Sequence, residues 1–160
     1  MSVTRQSSDA LAKRIAAVAP EIRDKLVPAL IQSAEEVARK ARALAEASRR
    51  TGDLIESITA TPPGQTTPAY AQGGASITTH GLQAVVTAGD QDNRHGHLVE
   101  FGTEARHHAH GTSTGTMPAQ PFLLPSWRLS KTRVERRLQR AVNAGVKAAV
   151  AAGNGGGNDG

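Results

Sequence analysis

The residues best equipped for chemistry lie between Glu100 and Gly115. Gly111-Thr112-Ser113-Thr114-Gly115 spells G-x-S-x-G, with His107, His108 and His110 just before it and Glu100 and Glu104 upstream. That pattern serves acyl transfer when a strand enters and a helix leaves, because the sharp turn between them holds the serine hydroxyl out. Here a His-rich polar stretch precedes the serine, and Met117-Pro118 stands where the helix should begin. A Ser/Thr/Gly-rich loop yields the same five letters by chance. The expected reading is a loop with no catalytic residue, and a small hydrolase using Ser113 and the histidines is the weakest functional alternative.

The histidines raise a second chemistry, metal binding. His95 and His97 are two apart and would share a face of a strand, and Glu100 lies between them and the later trio. Zinc needs three or four converging ligands, with His nitrogens at about 2.0–2.1 Å, held by an outer layer of hydrogen bonds. Most of these imidazoles fall in a segment with no such support. A solvated loop that titrates near pH ~6–7 accounts for them, and no metal or other cofactor is predicted. No Walker loop or dinucleotide fingerprint occurs.

The third candidate is a basic face. At about 100° per residue, Trp127, Val134, Leu138, Val142 and Ala149 fall on one side of a C-terminal helix. Arg133, Arg136, Arg137, Arg140 and Lys147 fall nearly opposite. Such a stripe can follow a phosphate backbone with salt-dependent affinity, or it can be the solvated face of an amphipathic helix. It lacks the aromatic residues that stack single-stranded bases and any recognition-helix spacing. A nonspecific nucleic-acid-binding protein is the second functional alternative.

The elements that would position these groups begin with an apolar series at Leu11, Ile15, Val18, Ile22 and Leu26, one helix face capped by Ser8 or Asp9. Pro20 and Pro28 predict a kink or restart. A second helix, from about 28 to 50, is rich in strong helix formers and ends at Gly52. Residues 54–60, 75–79, 82–88 and 97–101 read as strands from their β-branched content and alternation. Residues 102–117 show no periodicity and read as a flexible loop. The last helix runs from about 126 to 152, and 153–160 is a Gly-rich tail that cannot pack. Together these predict an α+β fold, with N-terminal helices and a C-terminal amphipathic helix packed on a small, mainly antiparallel sheet.

The 160 residues suit a single domain, 1–152. Only Tyr70, Phe101, Phe122 and Trp127 are aromatic, and alanine supplies much of the apolar count. A large side chain contributes roughly 1.5–3 kcal/mol on burial and alanine far less, so neighbouring subunits are expected to add stability. Cysteine is absent, which removes disulfide and thiolate chemistry. No stretch looks like a signal peptide or a membrane span, predicting a soluble protein made in the cytoplasm with no membrane partner. Nineteen basic against fourteen acidic residues give a formal charge of +5, which suits an acidic partner without choosing one.

Two stretches do more than any catalytic pattern. Thr51-Gly52-Asp53-Leu54-Ile55-Glu56-Ser57-Ile58 follows a long Ala/Glu/Arg helix. Val99-Glu100-Phe101-Gly102-Thr103 is followed, after a variable segment, by Pro118-Ala119-Gln120-Pro121-Phe122-Leu123-Leu124-Pro125 and a helix. In this order the chain resembles the tail-component family of lambda-like siphophages and related gene-transfer particles, also called minor tail, tail-completion or neck proteins. The resemblance covers about residues 30–145, with 1–27 as an extra N-terminal helical segment. It departs from the family at Gly96-His97, where an apolar pair is usual.

The resemblance implies a non-enzymatic virion protein, sited at the neck or the head-proximal tail and present in the host cytoplasm during assembly. It implies a homo-oligomeric ring, expected as a hexamer, that acts as head–tail joiner or tail terminator. Its partners would be a connector or stopper protein and a tail terminator or tail tube protein, with DNA passing nearby in the lumen. Thr51, Gly52, Leu54, Ser57, Ile58, Val99, Glu100, Phe101, Gly102, Thr103, Pro118, Pro121, Phe122 and Pro125 would then serve structure and assembly. Phe101 and Phe122 are both expected to bury their rings in the core.

Overall fold

The computed structural model describes residues 3–48, 52–70, 75–92, 96–107, 111 and 113–154, with backbone alone at 3–19, 48, 105–107, 113–114 and 154. Two long helices, α1 (Val3–Ala45) and α4 (Leu123–Asn154), frame the rest. They run antiparallel, since Glu36 of α1 meets Arg133 and Arg137 of α4 while Ile22 lies beneath Gly145. Their buried positions are mostly small: Ser33, Ala34, Ala38 and Ala41 on α1, Ser126 and Ser130 on α4. At Gly145 a Cβ would stand 2.5 Å from the Ile22 Cα and 3.0 Å from the Glu21 carbonyl oxygen. The helices therefore approach almost backbone to backbone, and the alanine richness that looked like a poor core is what lets them do so.

Of the kink or restart expected at Pro20 or Pro28, the restart is corrected: α1 runs as one helix through both. Each proline occupies an exposed position. A carbonyl left without its helical donor can hydrogen-bond to water there, which removes much of the penalty.

A short 3-10 turn (Glu46–Ser48) closes α1, and a one-turn helix, α2 (Asp53–Glu56), follows. Strands β1 (Ile58–Thr61) and β2 (Val85–Ala88) pair antiparallel, from Ile58 opposite Ala88 to Thr61 opposite Val85. This ribbon lies on the C-terminal half of α1. Ala38, Ala41, Ala45, Ile58 and Phe122 form the innermost cluster, surrounded by Leu44, Leu54, Val86, Val99 and Leu123.

Three strand expectations change. Residues 54–60 divide between α2 and β1, and 75–79 contributes only a bridge between Thr66 and Thr78, flanked by Thr67–Ile77 and Gln65–Thr79 backbone bonds. Residues 97–101 lie in a helix, α3 (Gly96–Phe101). The supposed loop 102–117 is likewise corrected, because β3 (Thr103–His107) and β4 (Ser113–Met117) pair antiparallel with register shifts. The fold is α+β, with two helices against a small antiparallel sheet and a second two-stranded ribbon beyond it. Helix α4 begins at Leu123, earlier than expected, and of the Gly-rich tail only Gly153 and Asn154 are among the described residues, both helical.

Candidate assembly site

The resemblance-bearing residues fall into two joints. Thr51 lies outside the described residues. At the first joint, Gly52 adopts a left-handed φ of 100°, and its carbonyl accepts the Ile55 and Glu56 amides, starting α2. Leu54 turns inward to the core cluster. The buried Ser57 hydroxyl donates to the Leu54 carbonyl at 2.7 Å and accepts the Gly89 amide at 3.1 Å. One small side chain thus ends α2 and fastens it to the exit of β2. Ile58 enters the core with no exposure, and Arg42 of α1 donates to its carbonyl.

The second joint turns on Glu100. Its carboxylate accepts the backbone amides of Phe122 at 2.8 Å, Leu123 at 2.9 Å and Leu124 at 2.9 Å. These are amides at the start of α4, which have no partner within the helix, and the negative charge also suits the positive end of the helix dipole. Val99 packs on the core and its carbonyl accepts the Gln120 amide at 2.8 Å. Gly102 has φ 73°, and a Cβ there would meet the Ala119 nitrogen at 2.7 Å and the Met117 oxygen at 2.8 Å, so only glycine fits. The Thr103 hydroxyl accepts the Met117 amide at 3.1 Å. Pro118 and Pro121 are exposed, Phe122 is buried, and Pro125 falls in the first turn of α4, where a missing N–H removes no helical bond.

Phe101 departs from expectation. It is 70% exposed, so the ring expected in the core stands at the surface. The reason is local: once α3 aims Glu100 at α4, its neighbour must point away. Trp127, expected on the buried face, is 43% exposed, and Leu124 and Leu129 are exposed as well. Two open apolar grooves lie here, of about 310 Å³ beside Trp127 and about 570 Å³ beside Phe101, and both are lined by Val86, Leu123 and Leu124.

The catalytic and metal candidates are not assembled among the described residues. Ser113 is the first residue of β4 and registers opposite His107 of β3, so strand returns to strand where a nucleophile elbow needs a helix. His95, His108, His110 and Thr112 lie outside the described residues, and His97 is exposed on α3. No group of three metal-ligating side chains occurs among the described residues.

The basic stripe divides. Arg137 points inward and donates to Glu36 at 2.6 Å and to the Ser33 hydroxyl at 3.0 Å, and Arg133 and Lys40 also reach Glu36, at 3.3 and 3.1 Å. The Arg137 hydrogen bond, then that of Lys40, holds the buried Glu36 carboxyl below its ordinary pKa of 4.5 despite desolvation, which pushes the other way. Arg136, Arg140 and Lys147 remain exposed. The expected five-residue outer stripe is corrected to exclude Arg137.

Compared with known families, residues 9–102 match the model described as "Bacteriophage HK97-gp10, putative tail-component". The chain belongs to the HK97-gp10-like family. No curated protein and no solved structure matches it. The family match takes in the first joint and the Val99–Gly102 half of the second, begins within the N-terminal segment read as additional, and stops before Pro118. Membership makes the chain a structural tail component of a bacteriophage, placed in the virion among other head and tail proteins. No helix among the described residues is long and apolar enough to cross a membrane.

Glu100 stands out in the sequence as a motif residue, but its task, accepting the first amides of α4, does not. The usable signal was a carboxylate some twenty residues ahead of a helix start that lacks its own capping side chain.

Proposed function

We propose that this HK97-gp10-like protein is a non-enzymatic, ring-forming subunit of the neck or the head-proximal tail, joining head to tail or terminating the tail as a hexamer. The observation that supports this reading best is the exposed apolar surface shared by the two grooves. Phe101, Leu124 and Trp127 flank a core whose own centre is largely alanine. A monomer rarely leaves large apolar side chains clustered in this way unless another protein covers them. In a ring each subunit presents two different patches that meet head to tail and close by rotation. The open edges of β1, β2, β3 and β4, each paired on one side only among the described residues, offer the second kind of patch. Neighbours above and below would be a connector or stopper protein and a tail terminator or tube protein.

The test is the mass of the purified full chain by sedimentation, followed by complementation of a phage lacking it. A closed hexamer that reverts to folded monomer in a Phe101→Glu/Trp127→Glu variant, with separate heads and tails in the complemented lysate, is the expected result. A wild-type monomer at high concentration, or a variant that restores normal particles, overturns the proposal.

A further inference from the structure

Chain-wide, the charge is unevenly placed. Helix α4 holds seven cations (Arg128, Lys131, Arg133, Arg136, Arg137, Arg140, Lys147) against one acid, Glu135. The remaining sequence holds twelve basic against thirteen acidic residues, so the whole positive surplus of the protein resides on this helix. Arg133 and Arg137 are committed to Glu36 and Lys131 to Glu135. That leaves Arg128, Arg136, Arg140 and Lys147 facing out, spread over about 28 Å at 1.5 Å per residue.

The side chains between them are informative. Along the outermost arc from Thr132 to Lys147 lie Thr132, Arg136, Gln139, Arg140, Asn143 and Lys147, all exposed and all cationic or hydrogen-bonding. Protein interfaces centre on a desolvated apolar patch with charge at the rim; here the exposed apolar residues, Leu129, Val146 and Val150, stand singly at the start, flank and end of the face, and the arc between them is polar. Guanidinium groups bind phosphate oxygens bidentately, while amide and hydroxyl side chains add phosphate contacts that carry no sequence information. Duplex DNA presents a negative charge about every 1.7 Å along its axis, enough to meet every cation of the arc.

We propose that the outer face of α4 is a sequence-independent binding surface for the phosphate backbone of double-stranded DNA. Arg136, Arg140 and Lys147 form its centre and Arg128 its near end. This inference is independent of ring formation, because one helix supplies every group.

The test is fluorescence anisotropy of a mixed-sequence duplex with the full-length protein, between about 50 and 200 mM salt. Four cations predict a slope of log K against log salt of about −3 to −4, a loss of roughly 100-fold over that range. Arg136→Gln/Arg140→Gln/Lys147→Gln should flatten the slope by nearly three units, with an unchanged melting temperature since these side chains are exposed. A charge-matched control on α1, Arg23→Gln/Lys25→Gln/Arg39→Gln, should leave the slope near its original value. Equal losses in both variants, no binding at about 50 mM salt, or tighter binding to polyglutamate than to DNA would each overturn the proposal; the last would point to an acidic protein. Sedimentation of the same samples separates a failed DNA surface from a failed ring.

Discussion

Replacing Glu100 with alanine should cost far more than its place in a short helix suggests. The buried carboxylate takes three amides at 2.8 to 2.9 Å. A hydrogen bond to a charged group contributes roughly 1.5–3 kcal/mol, and a helix cap about 1 kcal/mol. The three bonds share one side chain and do not add fully, so about 3–4 kcal/mol is expected for Glu100→Ala. Glutamine offers an oxygen where Oε2 accepts Phe122 and Leu123, but its amide nitrogen then faces the Leu124 N–H. Its loss should be about 1–2 kcal/mol. At about 2–4 °C per kcal/mol for a domain of this size, the alanine variant should melt roughly 6–15 °C lower and the glutamine variant about half as far. Urea titration with unchanged m-value would confirm that stability alone has moved. An alanine variant within about 1 kcal/mol of wild type, below the lower bound for even one charged bond, would refute the claim that this carboxylate organises the start of α4.

Two further outcomes follow from the α1–α4 contact. Glu36 has a lowered pKa, so its charged interactions stabilise the fold fully above the unfolded value, near 4.5, and are lost as pH falls through the lower folded value. The stability gap between wild type and Glu36→Gln should therefore be constant from neutrality to about pH 5 and shrink below it; chemical denaturation across pH reads this directly, and a gap that widens in acid contradicts it. Gly145→Ala places a methyl 2.5 Å from the Ile22 Cα, where overpacking costs about 1–3 kcal/mol, despite the better helix propensity of alanine. A raised melting temperature would show that the helices have room to spare.

The helical stretches were readable because their apolar residues recur at helical spacing among strong helix formers; that the N-terminal ones form a single helix through two water-facing prolines was not. The short elements were not. His97-Leu98-Val99-Glu100-Phe101 has the composition of a strand, yet it forms α3 because a helix places Val99 in the core and Glu100 under α4 together; tertiary contacts override a weak local preference. Thr103–Met117 lacks alternation, so nothing local announced a hairpin. Arg137 sits on the helix wheel with the solvent-facing arginines. Its inward turn depends on a buried glutamate 101 positions earlier, which no local pattern reveals. The resemblance-bearing motifs were visible as letters, and their work as joints became visible only with the partners in place.

The clasp between α3 and α4 has a consequence for how this chain can vary. Glu100, the Val99 carbonyl, Gly102 and Thr103 all grip residues 117–124, so the two ends of the β3–β4 ribbon are held together at its root. Whatever is spliced into the far end leaves that root, and the direction of α4, untouched. The ribbon is thus built as a branch on a fixed socket, so a change of its length or sequence beyond the root should leave the core and the course of α4 as they are.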